Sequence, residues 1–540
     1  MKQFIGPALA FLLLASVAHG APAFGQHDHA GAADEVGSAS VNFQTSCAPA
    51  LGADFNRAVA LLHSFWFAQA IAAFNGVAEK DPACAMAHWG VALSQWGNPF
   101  AGLRAPQQIE LGRAAIQKAR KTGQPTARER AYIAAAAELF SDGDPATQRA
   151  RTLAYEQAMQ NLARDFPADM EARIFYALAA NQTALAADKE YSQQLKAAAI
   201  LEPLFKEHPS HPGLAHYIIH AYDHPPLAEK ALEAARSYAS LAPSVPHALH
   251  MPSHTFTRVG SWKESIETNR RSAEAASKSS TAGEELHALD YQAYAYLQIA
   301  QDAAAKRVLD RALTLVQGAD GIAVGAAGAG AFAVAAIPAR YTLERAAWAD
   351  AADLPVRPAK TPYTEAITHF ARAIGAARSG NPNAAAADIE RLATLRDMLK
   401  SMQDAYWAEQ VDIQRRIAEA LVTFAQGNRA AGIEQLRAAA TAEDQTDKSA
   451  VSPGPLAPAR ELLGYMLLDA RQPAEALIEF EATTRKEPNR FRGLYGAGRA
   501  AEAAGNREKA TAFYTRLLQV ASEPDTDRAE LQHARKFLGR

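Results

Sequence analysis

FAQAIAAFNGVAEKDPACAMAHWGVAL, residues 67–93, is the stretch on which the fold turns. Ala70 is followed by Phe74 four positions on and by Pro82 twelve positions on. The same grammar returns at Ala476, Phe480 and Pro488 in PAEALIEFEATTRKEPNRFRGLYGAGRAA (473–501), and more loosely at Ala231 with Pro243 and at Ala510 with Tyr514. A small residue lets two antiparallel helices approach closely, an aromatic ring fills the groove beyond it, and a proline ends the second helix. Alanine is abundant, alternating Val/Ile/Thr runs are scarce, and 540 residues exceed what one compact core holds. The chain reads as an all-α array of helix hairpins.

This pattern resembles the tetratricopeptide repeat, a helix–turn–helix unit of 34 residues that stacks into a right-handed superhelix. The resemblance covers residues 45–535, about ten or eleven units with some lengthened. LLHSFWFAQAIAAF (61–74), DPACAMAHWGVAL (81–93), HALHMPSHTF (247–256) and PGPLAPARELLGYMLL (453–468) narrow it to exported bacterial tetratricopeptide proteins, a resemblance that brings no activity with it. The expected organisation is an N-terminal array over 45–317, a Gly/Ala-rich connection over 318–336 read as a loop in preference to an alanine-rich helix, and a C-terminal array over 337–540. Residues 445–458, QTDKSAVSPGPLAP, form a second irregular connection.

The start of the chain, MKQFIGPALAFLLLASVAHGAPAFGQ, has Lys2, an apolar run and then small residues near Gly20 and Ala23, the layout of a cleavable signal peptide over 1–23. Residues 24–44 read as a disordered leader. The run is short for a membrane span, and no later stretch is long and apolar enough to be one. A periplasmic or secreted protein is expected, and its only two cysteines, Cys47 and Cys84, are expected to pair there. Cys47 precedes the first predicted helix and Cys84 opens the third, points that are neighbours in a packed array.

HALHMPSHTF holds three of the chain's 16 histidines within eight positions. Taking the small residue of each second helix as a ruler, His216 lies 15 before Ala231, His250 lies 15 before Ser265 and Asp290 lies 15 before Ala305. His216 and His250 are 34 residues apart; the 40 from His250 to Asp290 hold a six-residue insertion in SKSSTAGEEL (277–286). Four residues later a second column holds His220, His254 and Tyr294, and three residues earlier a third holds Gly213, His247 and His287. Offsets of −3 and +4 return to one helix face. His216, His220, His247, His250, His254, His287 and Asp290 therefore form one stripe on three consecutive first helices, which in this repeat type line the concave groove. Imidazole and carboxylate ligands suit Zn, Cu, Fe, Ni or Mn, and three ligands with a fourth position open have the form of a catalytic centre. Pro252 either kinks the helix or starts it anew.

Arg340 falls in the His220 column and can clamp an anion or pair with Glu344 four residues on. Glu461 shares the His216 column, with Arg460 beside it as a partner. With Tyr294 these residues are candidates for the ligand groove; His63 and His88 read as packing residues, and Glu443 and Asp444 as a solvated helix end. A net charge of −3 gives no field for nucleic acid. There is no Gly-rich phosphate loop, no dinucleotide fingerprint, no Gly-x-Ser-x-Gly elbow and no His-Glu-x-x-His. The sequence thus points to an exported solenoid whose groove binds a peptide, a protein segment or a small ligand, with a histidine centre holding a divalent transition metal. Two alternatives stay open: a metal-dependent hydrolase or oxidase using the same side chains, and a metal-free interaction scaffold.

Overall fold

The structure is a computed structural model that describes residues 35–317, 328–357, 359 and 361–540. Its elements are α-helices and short 3-10 turns, with no strand among the described residues. Each helix packs on its neighbours in sequence, and first helices touch the next first helix, as Gly52–His63 touches Ala85–Trp96 and Ala459–Asp469 touches Phe491–Ala503. Between the two helices of a hairpin the chain passes through one left-handed residue, two positions before the second helix begins or, at Gly380, just before its opening 3-10 turn. Phe65, Gly260, Ala300, Ala346, Gly380, Gly427, Arg471 and Gly505 occupy that position, with φ from 52° to 98°. The recurring turn makes the array an all-α solenoid of tetratricopeptide type.

The small-residue grammar works through glycine as well as alanine. The Phe480 ring is fully buried between Gly464 and Gly496, and a Cβ added at Gly464 would come within 2.7 Å of that ring, with less room still at Gly496. Phe74 sits in the same way on Gly90. Overfilling such a site forces side chains off their rotamers, so Gly496→Ala should cost about 1–3 kcal/mol of stability in urea denaturation, while Gly76→Ala, whose added Cβ meets nothing, should not.

Two expectations about order are corrected. Residues 35–44, assigned to the leader, are packed: Val36, Val41 and Phe43 are buried, and Phe43 lies 5.1 Å from the Trp89 and Tyr132 rings and 5.5 Å from Phe55. The segment starts beside Ser244, which exchanges two hydrogen bonds with Glu35, and ends in the ring cluster around Phe43. In the Gly/Ala-rich segment a helix, Ala329–Leu343, starts after left-handed Gly328, because Phe332, Ala333 and Ala336 are buried against their neighbours. The remainder of that segment, like residues 1–23, where a signal peptide is expected, and residues 24–34, lies outside the described residues. Ala282–Gln298 packs on both Trp262–Lys278 and Ala329–Leu343, so residues 35–540 make one compact unit. No described helix is long and apolar enough to cross a membrane. Cys47 and Cys84 form a disulfide.

The 445–458 connection runs across the inner face. Tyr291 donates to the Ser452 carbonyl (3.2 Å), Arg340 reaches the Ser452 hydroxyl (3.0 Å) and the Gly454 carbonyl (2.9 Å), and Lys448 lies 3.3 Å from Asp223. The histidine stripe is therefore covered at this level and does not line an open groove.

Candidate metal centre

Six of the seven stripe residues come together, as two groups of three. His216 and His220 project from Pro212–Ala221, and His247 from Pro246–His250 joins them. His250 and His254 are joined by His287 from Ala282–Gln298. In each group one nitrogen from every ring lies within 4.8 Å of the others. All six are buried except His247, which is partly exposed. Pro252 begins a new helical segment, but Met251 before it keeps helical angles (φ −52°, ψ −39°), so His250 and His254 stay on one face.

In the second group the tautomers are set by what the outer nitrogens touch. The Asn269 Nδ2 donates to the Ser265 carbonyl at 2.7 Å, which turns its Oδ1 to accept the His250 Nδ1–H at 2.7 Å. The His254 Nδ1–H is given to the Asp223 carboxylate at 2.8 Å. Both Nε2 atoms then carry lone pairs, and they face each other 3.0 Å apart. Two lone pairs cannot hydrogen-bond, and two nitrogens on one tetrahedral zinc at 2.0–2.1 Å are about 3.3 Å apart. A carboxylate or amide oxygen behind each imidazole is the usual outer support of a ligating histidine. The hydroxyl of Tyr291 stands 3.4 Å from the His254 Nε2.

The first group repeats the plan. The His216 Nδ1–H is given to the His63 carbonyl at 2.6 Å, leaving its Nε2 3.1 Å from that of His220. His220 lies flat on Phe100 (4.3 Å between ring centroids), His247 flat on Phe65 (5.5 Å), and the buried His247 Nε2 has no hydrogen-bond partner. Burial pushes His216, His220, His247, His250 and His287 well below the usual imidazole range, with the neighbouring imidazoles adding to it. Burial also lowers His254, against the pull of Asp223. Neutral imidazoles are the form that binds a metal.

Asp290 does not join them. Its Oδ1 takes the Arg340 Nε–H at 2.9 Å, its Oδ2 has no hydrogen-bond partner, and burial holds the carboxyl above its usual value despite Arg340. Arg340 thus neither clamps an open anion site nor pairs with Glu344. Glu344 lies 2.7 Å from Arg490, which also reaches Glu461 at 2.7 Å and the Tyr294 hydroxyl at 3.1 Å. Arg460 pairs with Asp444 and Glu479, not with Glu461. The four residues expected in the groove are interior ties between distant repeats; each guanidinium found a buried carboxylate nearer than solvent. Glu443 is no solvated end either: it accepts the Ala459 N–H at 2.9 Å, and burial pushes its pKa up to about 7.

Sequence reasoning passed over the supports. Asp223 binds His254, Arg258 (2.9 Å) and Lys448 together; burial alone would raise its carboxyl, but Lys448, Arg258 and His254 hold it well below the usual range. His63 is a packing residue with a further role. Its Nε2 and the Nε2 of His211 share the buried Glu171 carboxylate at 2.9 and 3.0 Å, and its Nδ1 meets the Tyr217 hydroxyl at 2.9 Å. That cluster fixes the residue whose carbonyl orients His216. Beside Arg258 and Lys448 a pocket opens, lined also by Tyr406 and Trp407.

No protein-family model matches the chain, and no curated protein does. Solved structures give distant likenesses. A tetratricopeptide repeat protein from Parabacteroides merdae is 12% identical with TM-score 0.29, covering 55% of this chain and 100% of that one. A human IFIT1 dimer with m7Gppp-AAAA is 13% identical with TM-score 0.38, covering 81% and 90%. Similarities of this size say nothing of ligand or chemistry.

Proposed function

We propose that the chain is an exported helical-repeat protein that binds transition-metal ions through two sets of three imidazoles on its inner face. One observation carries the reading: His250 and His254, each with Nδ1–H committed to an oxygen, hold bare Nε2 atoms 3.0 Å apart in a buried site. A cation between them removes the lone-pair conflict. With Asp290 engaged by Arg340, the donor set is all nitrogen, which favours Cu, Zn, Ni or Fe over Mn. The signal-like start and the Cys47–Cys84 pair support an oxidising compartment.

The ligand role expected of the groove moves to the pocket of Arg258, Lys448, Tyr406 and Trp407. Both of those cations also bind Asp223 behind His254, so a small ligand seated there would be sensed by the metal set.

Metal content tests the reading. Protein exported with its own leader and purified without an affinity tag should carry copper or zinc, and His250→Ala should lower the content. Wild-type protein that holds no more metal than a His216→Ala/His250→Ala double variant, both folded by circular dichroism, would overturn it.

A further inference from the structure

The two imidazole sets are not independent sites. Within the first, ring centroids are 4.8, 5.2 and 6.4 Å apart; within the second, 4.9, 4.3 and 6.5 Å. The circle through each set of three has a radius of about 3.2 Å, and a metal bound at 2.0–2.1 Å to an imidazole nitrogen lies about 3.2 Å from the ring centre. Each set is thus sized for one ion. The sets also approach each other as closely as the widest pair within each, His220 to His254 at 6.2 Å and His247 to His250 at 6.3 Å.

Charge makes the second argument. Six neutral imidazoles bring no negative charge to two divalent ions in a buried place. The nearest carboxylates are committed, Asp223 to His254, Arg258 and Lys448, and Asp290 to Arg340. With three ligands a four-coordinate ion keeps one position free. The missing negative charge must therefore come from solution; Phe65, Tyr238 and Tyr291, whose rings pack on His247, His216 and His250, add none.

From this geometry we infer that the six histidines form one dinuclear centre whose two ions share a small bridging anion. The inference rests on the metal reading above and goes beyond it, since two isolated ions would satisfy that reading equally.

Copper(II) and azide serve as probes on the full folded chain. Titration should saturate at two copper ions per chain. The first equivalent should give a mononuclear paramagnetic resonance spectrum. The second should bring a spin count below the copper content, or dipolar broadening with a half-field transition. One azide should then bind per copper pair, more tightly than to half-loaded protein. Two ions with full, unbroadened spin count and an azide each, or saturation at one ion, would overturn the dinuclear centre while leaving metal binding in place. No copper bound would overturn both. A His216→Ala/His220→Ala variant should keep one uncoupled ion; should it not fold, the wild-type titration decides alone.

Discussion

Acidification should unfold the metal-free protein steeply, starting just below pH 6.5. All six stripe imidazoles are held below their ordinary pKa by burial first; neighbouring imidazoles add to it in five, and Lys448 and Arg258 in His254. In the unfolded chain each titrates near about 6.5. Between the folded and unfolded values the unfolded state binds more protons, so stability is complete above about pH 6.5 and falls as the pH drops. Six sites together give a slope of up to about 8 kcal/mol per pH unit. A domain stability of about 5–15 kcal/mol is then spent within one to two units. Of the charged groups facing the set, Lys448 and Arg258 oppose protonation, and Asp223 favours it without returning any of the imidazoles to the ordinary range. Urea unfolding at several pH values between 8 and 5 measures the slope. Replacing His220 and His287 by Phe should reduce it by about one third. Added zinc or copper, which binds only the neutral folded set, should carry the transition to lower pH. A stability that stays flat from pH 7.5 to 5.5 would contradict the prediction.

What could be read from the chain alone follows the range of the interactions involved. The Ala–Phe–Pro spacing is local, so the hairpins were legible, and translation by one repeat made the three histidine columns legible. The grouping was not read, although its rule is simple in hindsight. His247 and His287 occupy the column three residues before the pair on their own helix, and that position looks back to the preceding repeat. His247 therefore completes the set of His216 and His220, and His287 that of His250 and His254. In the repeat before, the same column holds Gly213, where a Cβ would lie 2.6 Å from His63, so the imidazole of the first repeat fills the vacant place. Asp290 sat in the right column by count, yet Arg340, fifty residues on, claimed it. Asp223 sat in no column, being in the turn after a helix. Lys448 reaches it across 225 residues, a closure of the superhelix that no local pattern encodes. The helix at Ala329 was masked by glycines around it, since composition does not say where a glycine run stops.

Asp223→Asn should damage stability and metal affinity together, because that carboxylate serves both. It lies within 3.3 Å of Lys448, 2.9 Å of Arg258 and 2.8 Å of the His254 Nδ1. Both cationic side chains are almost fully buried. Removing the carboxylate nearest to two buried cations costs up to about 3–5 kcal/mol, with Glu487 left as a more distant counter-charge. The amide oxygen can still accept one hydrogen bond, but the new Nδ2–H2 points donors at donors. Loss of the carboxylate charge behind a ligating imidazole lowers metal affinity by about 10–100-fold. The two effects separate through Lys448→Met. Alone it should leave metal affinity near wild type, because Asp223 keeps His254 and Arg258. Combined with Asp223→Asn it should restore part of the stability, by removing one stranded charge, and none of the affinity. Urea denaturation and competition against a metal chelator give the two readouts. If Asp223→Asn loses stability but binds copper or zinc as tightly as wild type, Asp223 is an interior ion-pair residue only, and His254 owes its orientation to something else.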